Sequence, residues 1–142
     1  MNTPLNGFRI MVGIGVLVNA GFWGPALFAP QTINNIFGFD PDYYTVWLRD
    51  VGMMLLIVSI NNAAAAIAPS RYRLFAWLVV VGRFIAASFF LEIWIFDVLE
   101  SSDKPNAFMW FFIIDASLGT IKGILLYAGL KQHNGDSRHS MA

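Results

Sequence analysis

Two ionisable side chains stand where the chain is otherwise hydrocarbon: Arg83 in the run WLVVVGRFIAASFFLEIWIF, and Asp115 in FFIIDASLG. A guanidinium in the bilayer interior costs about 2.5–3.5 kcal/mol even on the mildest insertion scale, so such groups turn into a bundle and find a partner. An arginine and an aspartate placed together there can do three kinds of work. They can lock helix register as a buried ion pair, orient the polar head of a ligand held between helices, or pass a proton when burial and pairing tune the acid. Two further groups of polar residues flank them in the sequence. Arg49, Asp50 and Glu92 lie toward one end of their apolar runs, and Asn61, Asn62 and Lys122 toward the other.

The elements that must position these residues are membrane helices. Of the chain, 57% is hydrophobic and 13% charged, against about 25% charged in an ordinary soluble domain. A spanning helix takes about 20 mostly apolar residues, and four segments qualify, at residues 7–28, 46–68, 72–98 and 107–130. They predict an all-α, four-helix transmembrane domain over residues 1–130, followed by a polar and mobile tail, 131–142. APSRYR joins segments two and three by a tight hairpin, with Pro69 ending one helix, so the two are antiparallel neighbours. The first connection is longer, and Ile33, Ile36 and Phe37 at helical spacing predict a short interfacial helix started by Pro30.

Helical rise then sets depths. Arg83 falls about 16 Å from one end of its helix, near the middle of a roughly 30 Å core, and Asp115 about 12 Å below the opposite surface. Those depths nearly coincide, and Asn19, counted along the first helix, reaches the same level. An interior Arg83–Asp115 pair with Asn19 as hydrogen-bond partner is therefore expected. Arg49, Asp50 and Glu92 form an outer polar cluster, since Arg83 and Glu92 face roughly opposite ways. Asn61, Asn62 and Lys122 form an inner layer, with Lys122 nearly two turns after Asp115 on one helix face and able to snorkel toward water. The layers together sketch a polar track through the bundle.

Lysine and arginine placement gives orientation. Arg9, Arg71, Arg73, Lys131 and Arg138 share a side with both termini, whereas Lys104 and Arg49 lie on the other. The positive-inside rule places both termini in the cytoplasm of a bacterial-type cytoplasmic membrane, as a multi-pass protein. Gly119 and Gly123 form a GxxxG spacing that permits close helix approach. Phe89, Phe90, Phe111 and Phe112 are expected to face lipid or partner helices.

Several classes are disfavoured. Net charge is zero, so no overall field gathers nucleic acid. The chain has no cysteine, which removes disulfides, thiolate nucleophiles and thiolate metal sites together. No facing histidine pair for haem, no HExxH, no GxSxG and no phosphate-cradling glycine loop is found, so neither a bound metal nor a covalent cofactor is expected.

The runs WLRDVGMMLLIVSINNAAAAIAPSRYR, VVVGRFIAASFF and FFIIDASLG resemble the broad DoxX-like group of small four-helix membrane proteins. The likeness rests on Arg49-Asp50-x-Gly52 at a helix entrance, a Pro–Arg turn, Gly82-Arg83 within helix three and Asp115 within helix four. It implies a shared charged constellation of Arg49, Asp50, Arg83 and Asp115, and association with membrane redox systems or with partner membrane proteins. The doubled Asn61-Asn62 and the long first connection depart from it.

The leading expectation is a non-catalytic integral subunit or accessory protein of a larger, redox-linked membrane complex, with other subunits or a homo-oligomer as partners. The rivals are a binding protein or enzyme whose Arg83–Asp115 pocket holds a quinone, isoprenoid, sterol-like molecule or lipid, a proton or ion path, and a pure scaffold.

Overall fold

Proline punctuates this chain. Pro30 opens a helix at a position where a missing N–H is harmless and disfavours helical backbone in Ala29 before it, so one helix ends at Phe28 and another begins at Pro30. The computed structural model describes residues 3–37, 41–96 and 106–139. Five helices result: α1 (Thr3–Phe28), α2 (Pro30–Phe37), α3 (Pro41–Ile67), α4 (Arg73–Phe96) and α5 (Asn106–His139). Lys104 and residues 97–98 lie outside the described residues, as do the side chains of Arg138 and His139.

Four stretches are long and apolar enough to cross a membrane: Thr3–Phe28, Val46–Ile67, Arg73–Phe96 and Phe108–Gly135. Between 22% and 28% of the most apolar 18-residue window of each is fully buried within the chain, which leaves many apolar side chains to face lipid. This is a multi-pass membrane protein. The lipid-facing hydroxyls of Ser88 and Thr120 are satisfied within their own helices, donating to the Phe84 and Ala116 carbonyls at 2.9 and 2.8 Å. The short helix expected to start at Pro30 is α2, whose Ile33 is buried while Ile36 stays exposed.

The expected polar tail begins inside a helix. LLYAGLKQH offers good helix formers and no proline, and propagation adds one hydrogen bond per residue fixed, so α5 continues to His139. Arg73 Nη2 donates to Asn134 Oδ1 at 2.8 Å, which ties this extension to the start of α4.

Close packing decides the order of helices. α1 lies along both α3 and α5, and α5 along α4, whereas α3 and α4 meet much less despite their short connection. Glycines permit the close seams. A Cβ on Gly119 would come within 3.2 Å of Arg83 Cβ, and one on Gly123 within 3.3 Å of Val80, so the GxxxG spacing serves the α4–α5 seam inside one chain. Gly52 does the same for α3 against Ala26 and Leu27 of α1. Gly82 on α4 faces open space. The ring therefore runs α3, α1, α5, α4, and its loosest joint is between α3 and α4.

Two apolar clusters bracket the middle of the bundle. At the end holding the α3–α4 turn, Leu5, Phe8, Val12, Ala76, Leu126 and Leu130 are buried together. Arg9 closes that end by donating to the Ala66 and Ile67 carbonyls at 3.0 Å each, satisfying orphan acceptors at the end of α3. At the opposite end Ala26, Ile33, Leu48, Ile93 and Phe108 form the second cluster. Phe22, Phe37, Phe90 and Phe111 pack against it, with the Phe37 and Phe111 ring centroids 5.1 Å apart. Phe90 and Phe111, expected on outer faces, thus turn partly inward, because the α4–α5 seam points that side of both helices toward the interior.

Candidate functional site

Between the two apolar clusters lies a polar belt that touches all four spanning helices. Arg83 on α4 is 7% exposed and Asp115 on α5 also 7%. The Arg83 Nη1 donates to Asp115 Oδ1, forming a buried ion pair. The other arm of the guanidinium turns to α1, where Nη2 donates to Asn19 Oδ1 at 2.8 Å and to the Gly15 carbonyl at 3.2 Å. Asn19 Nδ2 then donates to Ser59 Oγ on α3 at 3.4 Å, and the Ser59 hydroxyl donates to the Leu55 carbonyl at 2.7 Å. A buried guanidinium can be accommodated here because its hydrogen bonds are accepted by groups held on two rigid helices, α1 and α5.

Ser59 was not singled out from sequence. It lies three residues before Asn62 and four after Leu55, so all three share a stripe of α3, and that periodicity was the available signal. Gly15 carries no sequence signal beyond its small size. Its missing side chain makes room for two cations: a Cβ there would lie 2.5 Å from Lys122 Nζ and 3.2 Å from Arg83 Nη2.

Lys122 is placed differently from the inner layer expected of it. Its side chain is fully buried, with Nζ against Gly15 and without a hydrogen-bond partner among the described residues. Helix geometry gives the reason. Side chains lean toward the N-terminus of their helix, and that direction on α5 leads from Lys122 toward Asp115. The ammonium therefore joins the central charges instead of snorkelling to the near surface. Asn62 is buried on α3, whereas Asn61 is exposed along the α3 wall of the cleft described next. Arg49, Asp50 and Glu92 are all exposed, and no hydrogen bond or ion pair joins them among the described residues.

The loose joint between α3 and α4 opens as a cleft of about 500 Å³. Its walls are mainly apolar side chains of α3 and α4, such as Val51, Leu55, Leu78 and Ala86, with Trp47, Phe90 and Phe108 at one end. Its polar floor presents Asn19, Arg83 and Asp115. An apolar slot of this size with a few convergent polar groups is the usual form of a small-molecule site, for which about 300–1,000 Å³ is typical. Among the described residues no group of three or more histidine or acidic side chains is arranged to hold a metal ion.

Comparison with known proteins adds no further identity, since no protein-family model, no curated protein and no solved structure matches the chain.

Proposed function

We propose that this protein binds a small amphipathic molecule of the membrane, which enters between α3 and α4 and rests its polar end on Asn19, Arg83 and Asp115. The cleft of about 500 Å³ with that polar floor is the observation that carries this reading. Apolar walls suit a polyisoprenoid, acyl or ring-system body, and the floor supplies both hydrogen-bond donors and an acceptor for the head. The role is binding and presentation rather than catalysis.

The accessory-subunit expectation has no comparable feature behind it, and ligand binding holds whether the chain works alone or within a complex. A through path for protons or ions is less well supported. The buried apolar cluster of Leu5, Phe8, Val12, Ala76, Leu126 and Leu130 stands between the charged belt and the turn end of the bundle. Membership of the DoxX-like group, and a cytoplasmic membrane with both termini inside, remain part of this proposal on the strength of the motifs and the lysine and arginine bias.

The test is native mass spectrometry and lipid extraction of the protein taken from its own membrane in mild detergent, beside a Gly82→Leu variant. Gly82 lines the cleft and a Cβ there meets nothing within 4 Å, so leucine fills the slot without forcing the backbone. A stoichiometric small molecule on the wild type that is lost from Gly82→Leu is the expected result. Equal small-molecule content in both proteins, or none in either, would sink the reading.

A further inference from the structure

Among the described residues three ionisable side chains are buried, and they are not balanced: Arg83 and Lys122 are cationic, and Asp115 is the single carboxylate. Arg83 has its ion-pair partner in Asp115. Lys122 has none, is fully buried, and both Arg83 and Asp115 are close enough to act on it electrostatically. Its ammonium and the Arg83 guanidinium crowd one point beside Gly15. Lys122 does not line the cleft, so it stands just behind a floor that Arg83 and Asp115 do line. Counted with each of the three in its ordinary ionised form, the floor therefore carries a formal surplus of one positive charge in a region where charges are weakly screened.

We infer that the molecule bound in the cleft is an amphipathic carboxylic acid, held as its monoanion against Arg83, with Lys122 supplying the neutralising field. This rests on the cleft being a ligand site. One surplus cation matches one negative charge, whereas a phosphate monoester carries about −1.5 to −2 at neutral pH. Size argues the same way, since an apolar cleft of about 500 Å³ takes one acyl chain more readily than the two of a phospholipid. Lys122 acts here as a positioning residue through its charge, and touches neither ligand nor solvent.

The experiment uses the full chain in nanodiscs of zwitterionic phosphatidylcholine, with chain-brominated hexadecanoic acid and the matching brominated hexadecanol as probes. Bromine quenches tryptophan, and Trp47 lines the cleft. The quenching abolished by Gly82→Leu reports the cleft alone. We expect the acid to bind at least tenfold more tightly than the alcohol, and Lys122→Met to bring that ratio near one while leaving the affinity for the alcohol unchanged. Asn19→Asp, which adds a carboxylate with Lys122 intact, should remove the preference in the same way, so the outcome does not hinge on one variant folding. Equal affinity for acid and alcohol in the wild type overturns the inference and leaves the cleft reading standing. A preference that survives both substitutions overturns it too. Brominated lysophosphatidylglycerol binding as well as the acid would overturn the carboxylate assignment. An absence of Gly82→Leu-sensitive quenching by every probe would remove the ligand site itself.

Discussion

The Asn19 carboxamide accepts from Arg83 Nη2 at 2.8 Å and so carries the charge of α4 across to α1. With its other face donating to Ser59 at 3.4 Å, Asn19 is the residue through which α3 is joined to the ion pair of α4 and α5. Without it, one buried arm of a guanidinium would be short of an acceptor.

Asn19→Leu should therefore destabilise the bundle by about 1–3 kcal/mol, the usual cost of leaving a buried polar group short of a partner. Reversible unfolding in mixed micelles, followed by tryptophan fluorescence, would measure it. Ser59→Ala should cost less, because the serine is an adaptor between Asn19 and its own helix. If the two substitutions cost the same, the belt does not have the hierarchy drawn from its geometry.

Asp115→Asn leaves Arg83 and Lys122 without a buried counter-charge. Breaking a buried pair from one side costs about 3–5 kcal/mol, whereas replacing both members with apolar groups is often near neutral. The double variant Arg83→Leu/Asp115→Leu should thus be more stable than Asp115→Asn alone. A double-mutant cycle showing simple additivity would argue that the two charges do not depend on one another.

The seam glycines separate packing from propensity. Gly119→Ala places a methyl 3.2 Å from Arg83 Cβ and should cost about 1–3 kcal/mol through overpacking. Gly21→Ala meets nothing within 4 Å, so it should be neutral or slightly stabilising, since alanine is the better helix former. Thermal aggregation midpoints of the two variants in the same detergent would separate them, and equal loss in both would contradict the seam.

Because the chain has no cysteine, single cysteines carrying a nitroxide label can map the loose joint. A label at Gly82 should show high collision with dissolved oxygen, as lipid-accessible positions do, and Ala87, which is 3% exposed, should be strongly protected. Similar accessibility at the two sites would mean that α3 and α4 close the cleft in a bilayer.

The sequence by itself determined the helices and the level of the charges. Apolar length marks a membrane span whatever it packs against, and helical rise converts residue number to depth, so Arg83, Asp115 and Asn19 were placed at one level before any fold was known. That level is where the ion pair stands. Only the tertiary structure decided which way each residue looks around its helix. That depends on the seams, and glycines draw α3 to α1 and α5 to α4 while α3 and α4 stand apart. The same ring order turns Phe90 and Phe111 toward the interior and brings Ser59 to Asn19. Lys122 joins the central charges because its side chain leans along α5 toward Asp115, and because Gly15, packed opposite, leaves the space for its ammonium. Depth is a one-dimensional property of a membrane helix and can be counted. A cleft needs three dimensions, because it exists only where two neighbours in the chain are not neighbours in packing.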